Sequence, residues 1–194
     1  MAQHVANCVI KDEERVVFCS NCGAKLKMKI PAEDNRIRAV CDTCNTIHYE
    51  NPKIIVGSVT TYENRILLCR RAIEPKFGFW TLPAGYMELN ESTSEGAMRE
   101  TVEESGANIT LKRLFAIHDL PFLNQVHIFF LAEMNSPKLD PGSESLEARL
   151  FAVNEIPWSE LAFKTVERTL EFFLKKDKHN KNHVYTSLFS LGKK

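Results

Sequence analysis

"GYMELNESTSEGAMRETVEESGA", residues 85–107, is the stretch from which the rest of the chain can be read. It opens on Gly85, closes on Gly106-Ala107, and gathers Glu91, Glu95, Glu100, Glu103 and Glu104 around one arginine, Arg99. Ser92 and Glu95 form an S-x-x-E capping box, which predicts a helix starting there, and Gly106 is placed to stop it. On that helix Glu100, Glu103 and Glu104 share one face, with about 6 Å of rise from first to last. Like charges at this spacing destabilise an isolated helix by a few tenths of a kcal/mol per pair. A divalent cation over them gives the arrangement a purpose. Carboxylate-only ligation selects a hard ion, Mg²⁺ or Mn²⁺, rather than zinc. Arg99 is placed to pair with Glu91 or Glu103 and hold the helix in register with its preceding loop. A charged helix facing water explains three glutamates alone, but not the glycine, the arginine and the spacing together.

Upstream, "YENPKIIVGSVTTYENRILLCRRAI" predicts strands over Ile54 to Thr61 and Arg65 to Arg70, joined by a turn at "ENR". Cys69 alternates as a strand residue, and Cys8 has no partner pattern. "GFWTLPAG" is a short strand leading into the helix, with Trp80 in the core. Downstream, "LKRLFAIHDL", "QVHIFFLAEM" and "ARLFAVNEI" read as further strands. "WSELAFKTVERTLEFFLKK" is amphipathic, with Leu161, Val166, Leu170, Phe173 and Leu174 as its apolar stripe and Ser159 as the expected N-cap. "KKDKHNKNH" is read as an exposed tail or loop. The elements describe a mixed sheet with one helix in the middle and one near the end.

A second signal precedes the sheet. "FCSNCGAKL" and "VCDTCNTIHYE" supply Cys19, Cys22, Cys41 and Cys44 as two CxxC knuckles. At this separation four thiolates converge on one Zn²⁺, and Gly23 permits the left-handed turn after the first knuckle. His48 is a substitute ligand in principle, but with four cysteines at hand it is read as a surface or packing residue. About thirty residues cannot bury a core, so the zinc is structural and folds the ribbon. Lys25, Lys27, Lys29, Arg36 and Arg38 are offset by Glu33, Asp34 and Asp42, which reads as a solvated strand face.

Composition fits this picture. The chain has 194 residues, 44% hydrophobic and 26% charged, with 25 basic and 25 acidic side chains. A balanced charge gives no bulk electrostatic reason to bind nucleic acid or an anionic membrane. No apolar run reaches the roughly 18 residues of a membrane span. "MAQHVANCVIKDEERVVF" lacks a secretory apolar core, so a reducing cytoplasm is expected, where cysteines bind metal more readily than they pair.

The opening stretch resembles the Nudix box, G-x5-E-x7-R-E-U-x-E-E-x-G-U, where U is a bulky apolar residue. All its charged and glycine positions match; Thr101 and Ala107 stand where bulkier apolar residues are usual. From about Cys19 to Leu174 the chain is similar to Nudix hydrolases carrying an N-terminal zinc ribbon, with support from "IHYENPKIIVGSV", "LLCRRAIEPKFGFWTLPAGYME", "PGSESLEARLF" and "EIPWSELAF". The resemblance implies an α/β/α sandwich after the ribbon, in four parts: residues 1–18, a ribbon at 19–49, a Nudix domain at 50–176 and a tail at 177–194. It implies Mg²⁺ ligands at Glu100, Glu103 and Glu104, joined by the carbonyl of Gly85 or its neighbour, with Glu91 and Arg99 structural. A further carboxylate serves as base or ligand in this family, and Glu144 and Glu147 are the candidates here.

The implied reaction is hydrolysis of a nucleoside diphosphate linked to another group. NADH pyrophosphatases of this group carry a Ser-Gln-Pro-Trp-Pro-Phe-Pro run, but the corresponding region here reads "LFAIHDLPFLNQVHIFF". The expectation is therefore FAD or ADP-ribose cleaved to AMP plus FMN or ribose 5-phosphate. Arg70 and Arg71 are candidates for substrate phosphates, and Phe77, Phe79 and Phe122 for stacking on adenine. NADH cleavage, removal of a nucleotide cap from RNA, and a nucleotide-sensing module without catalysis are the other readings. A homodimer is the family default.

Overall fold

The computed structural model describes residues 17–175 and 183–190. Most of "KKDKHNKNH", and Cys8, lie outside them. The chain divides into two compact units, Met1–Pro52 and Lys53–Lys194. Among the described residues no helix is long and apolar enough to cross a membrane.

The first unit is a three-stranded antiparallel sheet of β1 (Lys27–Lys29), β2 (Arg38–Val40) and β3 (Ile47–His48). Among its described residues little apolar surface is buried beyond Cys19, Pro31, Ala39, Val40 and Cys41. The basic side chains of β1 face water, with Lys27 and Lys29 both paired to Asp42, at 2.8 and 2.5 Å.

The second unit is built on β4 (Lys53–Tyr62), β5 (Arg65–Arg71), β6 (Trp80–Thr81), β7 (Ala84–Tyr86), β8 (Ile109–Leu120), β9 (Gln125–Met134), β10 (Ser145–Phe151) and β11 (Tyr185–Leu188). The strand order is β10-β5-β4-β9-β8-β11, with β6 on β5 and β7 on β4. β4–β9 and β11–β8 are parallel pairs, and the other pairs are antiparallel. The turn at Glu63-Asn64 has both residues at positive φ, 45° and 64°, which matches the twist of a tight hairpin. β4 then parts from β5: only Thr61 and Tyr62 pair with it, while Ile55–Gly57 pair with β7. That fork brings Gly85 beside Val56.

Alternation along β4 serves both faces of the sheet. Val56 packs with Ala97 and Phe130 under α1 (Thr93–Ser105). Val59 packs with Leu68, Trp80, Phe129, Val166 and Leu170 under α2 (Lys164–Leu174). The α/β/α sandwich is as the resemblance implies, and the ribbon before it is as the two CxxC knuckles imply.

Two expectations are corrected. Ser159 does not cap α2; it lies in a 3₁₀ turn, Trp158–Glu160, and the helix starts after Phe163 with no side-chain cap. Leu161 bridges to Trp80, whose carbonyl accepts from the Ala162 N–H, and this extended pairing delays the helix. In the segment taken as tail, Tyr185–Leu188 add a parallel strand beside β8. Phe172 stacks on Tyr185 there, with ring centroids 4.6 Å apart.

Candidate metal and phosphate site

α1 begins and ends as its sequence dictates. Ser92 accepts from the Glu95 N–H, the Glu95 carboxylate accepts from the Ser92 N–H, and Gly106 closes the helix at φ 66°. Arg99 ties the helix to the preceding loop by a two-pronged grip on Glu91, at 3.0 Å from Nε and 2.8 Å from Nη2. Its Nη2 also donates to the Tyr86 carbonyl at 3.1 Å. This grip holds the Glu91 carboxyl down at about 2 and pushes the Arg99 guanidinium further up.

The three helix glutamates are not equivalent. Glu104 is 7% exposed, and its Oε2 has no hydrogen-bond partner. Burial, reinforced by the charge of Glu100, raises its carboxyl to about 8, although the Ala84 backbone and Arg71 pull the other way. Glu100 is likewise raised by burial, against the opposing hydrogen bond from Arg99. Its carboxylate lies against Gly85, where a Cβ would collide with it. Only glycine admits a carboxylate so close to its backbone. Glu103 is the exposed member, accepting from Arg99 Nη1 at 3.0 Å, while the same nitrogen donates to Glu100 at 2.7 Å. Among the described residues the metal-donor group that closes fully is that of the cysteines; in the helix, Arg99 stands between Glu100 and Glu103. Oxygen donors, an orphaned buried oxygen and the close approach at Gly85 suit Mg²⁺ or Mn²⁺.

The outer candidates separate. Glu144 is exposed, and its charge bears on both Glu100 and Glu104. Glu147 pairs in register with Arg70, which pairs with Trp80, so it projects on the α2 face. Cys69, which lies in the field of Glu104, projects on the other face, with Ala148. A bulge between Ser145 and Glu147 sets this order, and a one-residue shift exchanges faces. Arg70 and Arg71 spend their Nε donors on the loop of residues 72–79, on Gly78 and Pro75 at 2.9 Å each. Of the two, Arg71 acts on Glu104. Phe77 and Phe79 are exposed on that loop, Lys76 lies 5.1 Å over the Phe79 ring, and Phe122 is half-buried in the turn after β8.

Tyr86, a residue that the sequence does not single out, lies beside these groups, next to Gly85. Its ring is exposed, its hydroxyl accepts from Gln125 Nε2 at 3.4 Å, and Lys53 Nζ lies 5.5 Å over the ring.

In the ribbon the four sulfurs lie within 4.8 Å of one another, close enough for tetrahedral ligation at the ~2.3 Å of a Zn–S bond. His48 Nε2 is 3.3 Å from Cys19 Sγ, so it packs against a ligand sulfur.

Comparison with known proteins agrees with this layout. The family model described as "NUDIX domain" matches residues 52–173, and a zinc-ribbon model described as "Nudix N-terminal" matches residues 17–50. A NAD-capped RNA hydrolase NudC of Vibrio parahaemolyticus is 32% identical over 143 residues, covering 72% of this chain and 52% of that protein. An ADP-ribose pyrophosphatase of Methanocaldococcus jannaschii is 30% identical over 119 residues, 59% of this chain and 69% of its own. The chain spans about half the length of the NudC relatives it matches. A solved Nudix hydrolase from Nitrosomonas europaea superposes with a TM-score of 0.84 at 42% identity, over 90% of this chain and 99% of that one.

Proposed function

The chain belongs to the Nudix family and carries the family's N-terminal zinc ribbon. From that premise we propose that it is a Mg²⁺- or Mn²⁺-dependent pyrophosphohydrolase cleaving the diphosphate of an ADP-containing small molecule, ADP-ribose or FAD. The observation that carries the reading is Glu104, buried with an unpartnered carboxylate oxygen beside Glu100 and Gly85, with the charges of Arg71 and Glu144 acting on it.

Glu100, Glu103 and Glu104, with the backbone carbonyl of Gly85 or its neighbour, would hold the cation, which when bound neutralises the bridging phosphates and lowers the pKa of a coordinated water. Glu91 and Arg99 fix the helix that presents these groups. Glu144, whose charge bears on Glu100 and Glu104, would take the proton from the attacking water, a role that Glu147, on the opposite face, would not share. Arg71, whose charge acts on Glu104, would meet a substrate phosphate, and Tyr86 offers an exposed ring next to Gly85 for a base or ribose. The ribbon's zinc is structural, and the working unit is a homodimer in the cytoplasm.

The relative named ADP-ribose pyrophosphatase favours ADP-ribose, and the missing "SQPWPFP" run speaks against NADH. The relatives named NAD-capped RNA hydrolase give a second reading, a cap-removing enzyme. One panel decides between them: ADP-ribose, FAD, NADH and NAD-capped RNA incubated with Mg²⁺, with products weighed by mass spectrometry. The expected result is higher kcat/KM for ADP-ribose or FAD than for NADH, with AMP always one product. A preference for NADH or capped RNA selects the second reading, and pyrophosphate release from nucleoside triphosphates overturns both.

A further inference from the structure

Thr101 stands where the Nudix box usually has a bulky apolar residue, and the structure gives it a partner. Ser58, Thr60 and Thr101 are all 0% exposed. Thr101 Oγ1 lies 2.7 Å from the Ala97 carbonyl and 2.7 Å from Ser58 Oγ, and Ser58 Oγ lies 2.7 Å from Thr60 Oγ1. Donor accounting fixes the direction of this chain. A carbonyl only accepts, so the single Thr101 O–H goes to Ala97, and Thr101 accepts from Ser58. Ser58 has then spent its own donor and accepts from Thr60.

Ser58 is the node. Its backbone N–H donates to the Pro83 carbonyl at 3.1 Å, at the entry to β7, two residues before Gly85. Its side chain holds Thr101, which follows Glu100 and precedes Glu104 on α1. The proposed cation ligands come from two separate elements, a backbone carbonyl of Gly85 or its neighbour from β7 and the glutamates from α1. One serine fastens both to β4.

We infer that Ser58 and Thr101 are positioning residues that set the distance between the backbone carbonyl of Gly85 or its neighbour Ala84 and the Glu100–Glu104 pair. An apolar residue at 101 packs a helix against a sheet without fixing how far it slides or turns. A hydrogen bond of 2.7 Å fixes both. The inference rests on the cation-site reading above, and its test keeps the two separable.

The experiment titrates Mn²⁺ alone into the full chain, following free Mn²⁺ by electron paramagnetic resonance, with melting temperature measured in parallel. Ser58→Ala and Thr101→Val should each weaken Mn²⁺ binding on the order of three- to tenfold. The double variant should be no weaker than the poorer single, because both cut the same bond. Thr101→Ser keeps the hydroxyl and should retain wild-type affinity. If Thr101→Val does not fold, Ser58→Ala and Thr101→Ser carry the comparison. Lower melting temperatures with unchanged Mn²⁺ affinity in Ser58→Ala overturn the inference, since a merely structural bond would give that result. Glu104→Gln is the control for the site. Loss of Mn²⁺ binding there upholds the cation reading whatever Ser58 does, and wild-type binding removes that reading and this inference with it.

Discussion

Glu104, a proposed cation ligand, shows at the scale of one residue how burying a carboxyl ties stability to pH. Its carboxyl titrates at about 8 in the fold against an ordinary 4.5, so between those values the folded chain holds a proton that the unfolded chain has lost. Stability of the metal-free protein should therefore fall as pH rises from 4.5 through 8. Glutamine, which stays neutral, removes the effect. Glu104→Gln should raise the metal-free melting temperature at high pH by roughly 5 °C in calorimetry, while turnover falls by orders of magnitude at saturating Mg²⁺. Glu103→Gln should lose turnover similarly without that thermal gain, because Glu103 is exposed. His118 carries the opposite sign. It is fully buried and donates from Nε2 to Thr169 at 2.8 Å, because the Thr169 hydroxyl is itself committed to the Thr165 carbonyl. Burial lowers His118 from 6.5 to about 4, so the unfolded chain gains a proton first as pH falls between those values. Stability should drop across that window, as it also should for His127, lowered likewise by burial. His118→Gln should make the acid side of a melting-temperature profile shallower; an unchanged slope would assign the acid sensitivity elsewhere.

Elements differ in how much of themselves is written locally. The ends of α1 were legible because a capping box and a C-terminal glycine act within a few residues of the ends they make. The start of α2 was not, because Leu161 and Ala162 are drawn into pairing with Trp80, some eighty residues away in sequence. The same holds for β11, which is ordered by β8 and by the Phe172–Tyr185 stack rather than by its own pattern. In the candidate site, the glutamate spacing placed Glu100, Glu103 and Glu104 on one face of the helix. It did not show that a bulge turns Glu147 to the other face, or that Arg70 and Arg71 staple their own loop. The loop that delivers Glu144 depends on another long-range fit. Asp140 N–H donates to the Ser105 carbonyl at 2.8 Å, and Gly142 presses so close to α1 that a Cβ there would strike the Glu103 carbonyl. Gly142→Ala should push the loop off the helix and lower kcat by about ten- to a hundredfold. Mn²⁺ affinity should change little if Glu144 works on the proton rather than on the cation. A matching loss of Mn²⁺ binding would make Glu144 a ligand instead.

The whole molecule joins two units that are stabilised by different means. The three apolar clusters of the described residues all lie in the second unit, between Val56 and Tyr185. The ribbon has four convergent sulfurs in place of such a cluster, with Val17, Phe18, Met28, Ile30, Ile37 and Tyr49 left exposed. A segment of that size with so little buried apolar surface does not fold on the hydrophobic effect alone, so the free energy of zinc binding is its folding free energy. The protein as purified without chelator should hold one zinc per chain by elemental analysis. Cys41→Ser should abolish that zinc and expose residues 17–50 to protease. The main calorimetric transition should remain, because its core contains none of the ribbon. Turnover per folded domain should also remain, since none of the proposed cation ligands lies before residue 53. If Cys41→Ser abolished the main transition as well, the two units would have to fold as one. If it kept the fold but lost turnover on RNA substrates alone, the ribbon would be a nucleic-acid grip, and the pairing of Lys27 and Lys29 with Asp42 would then have to open on binding.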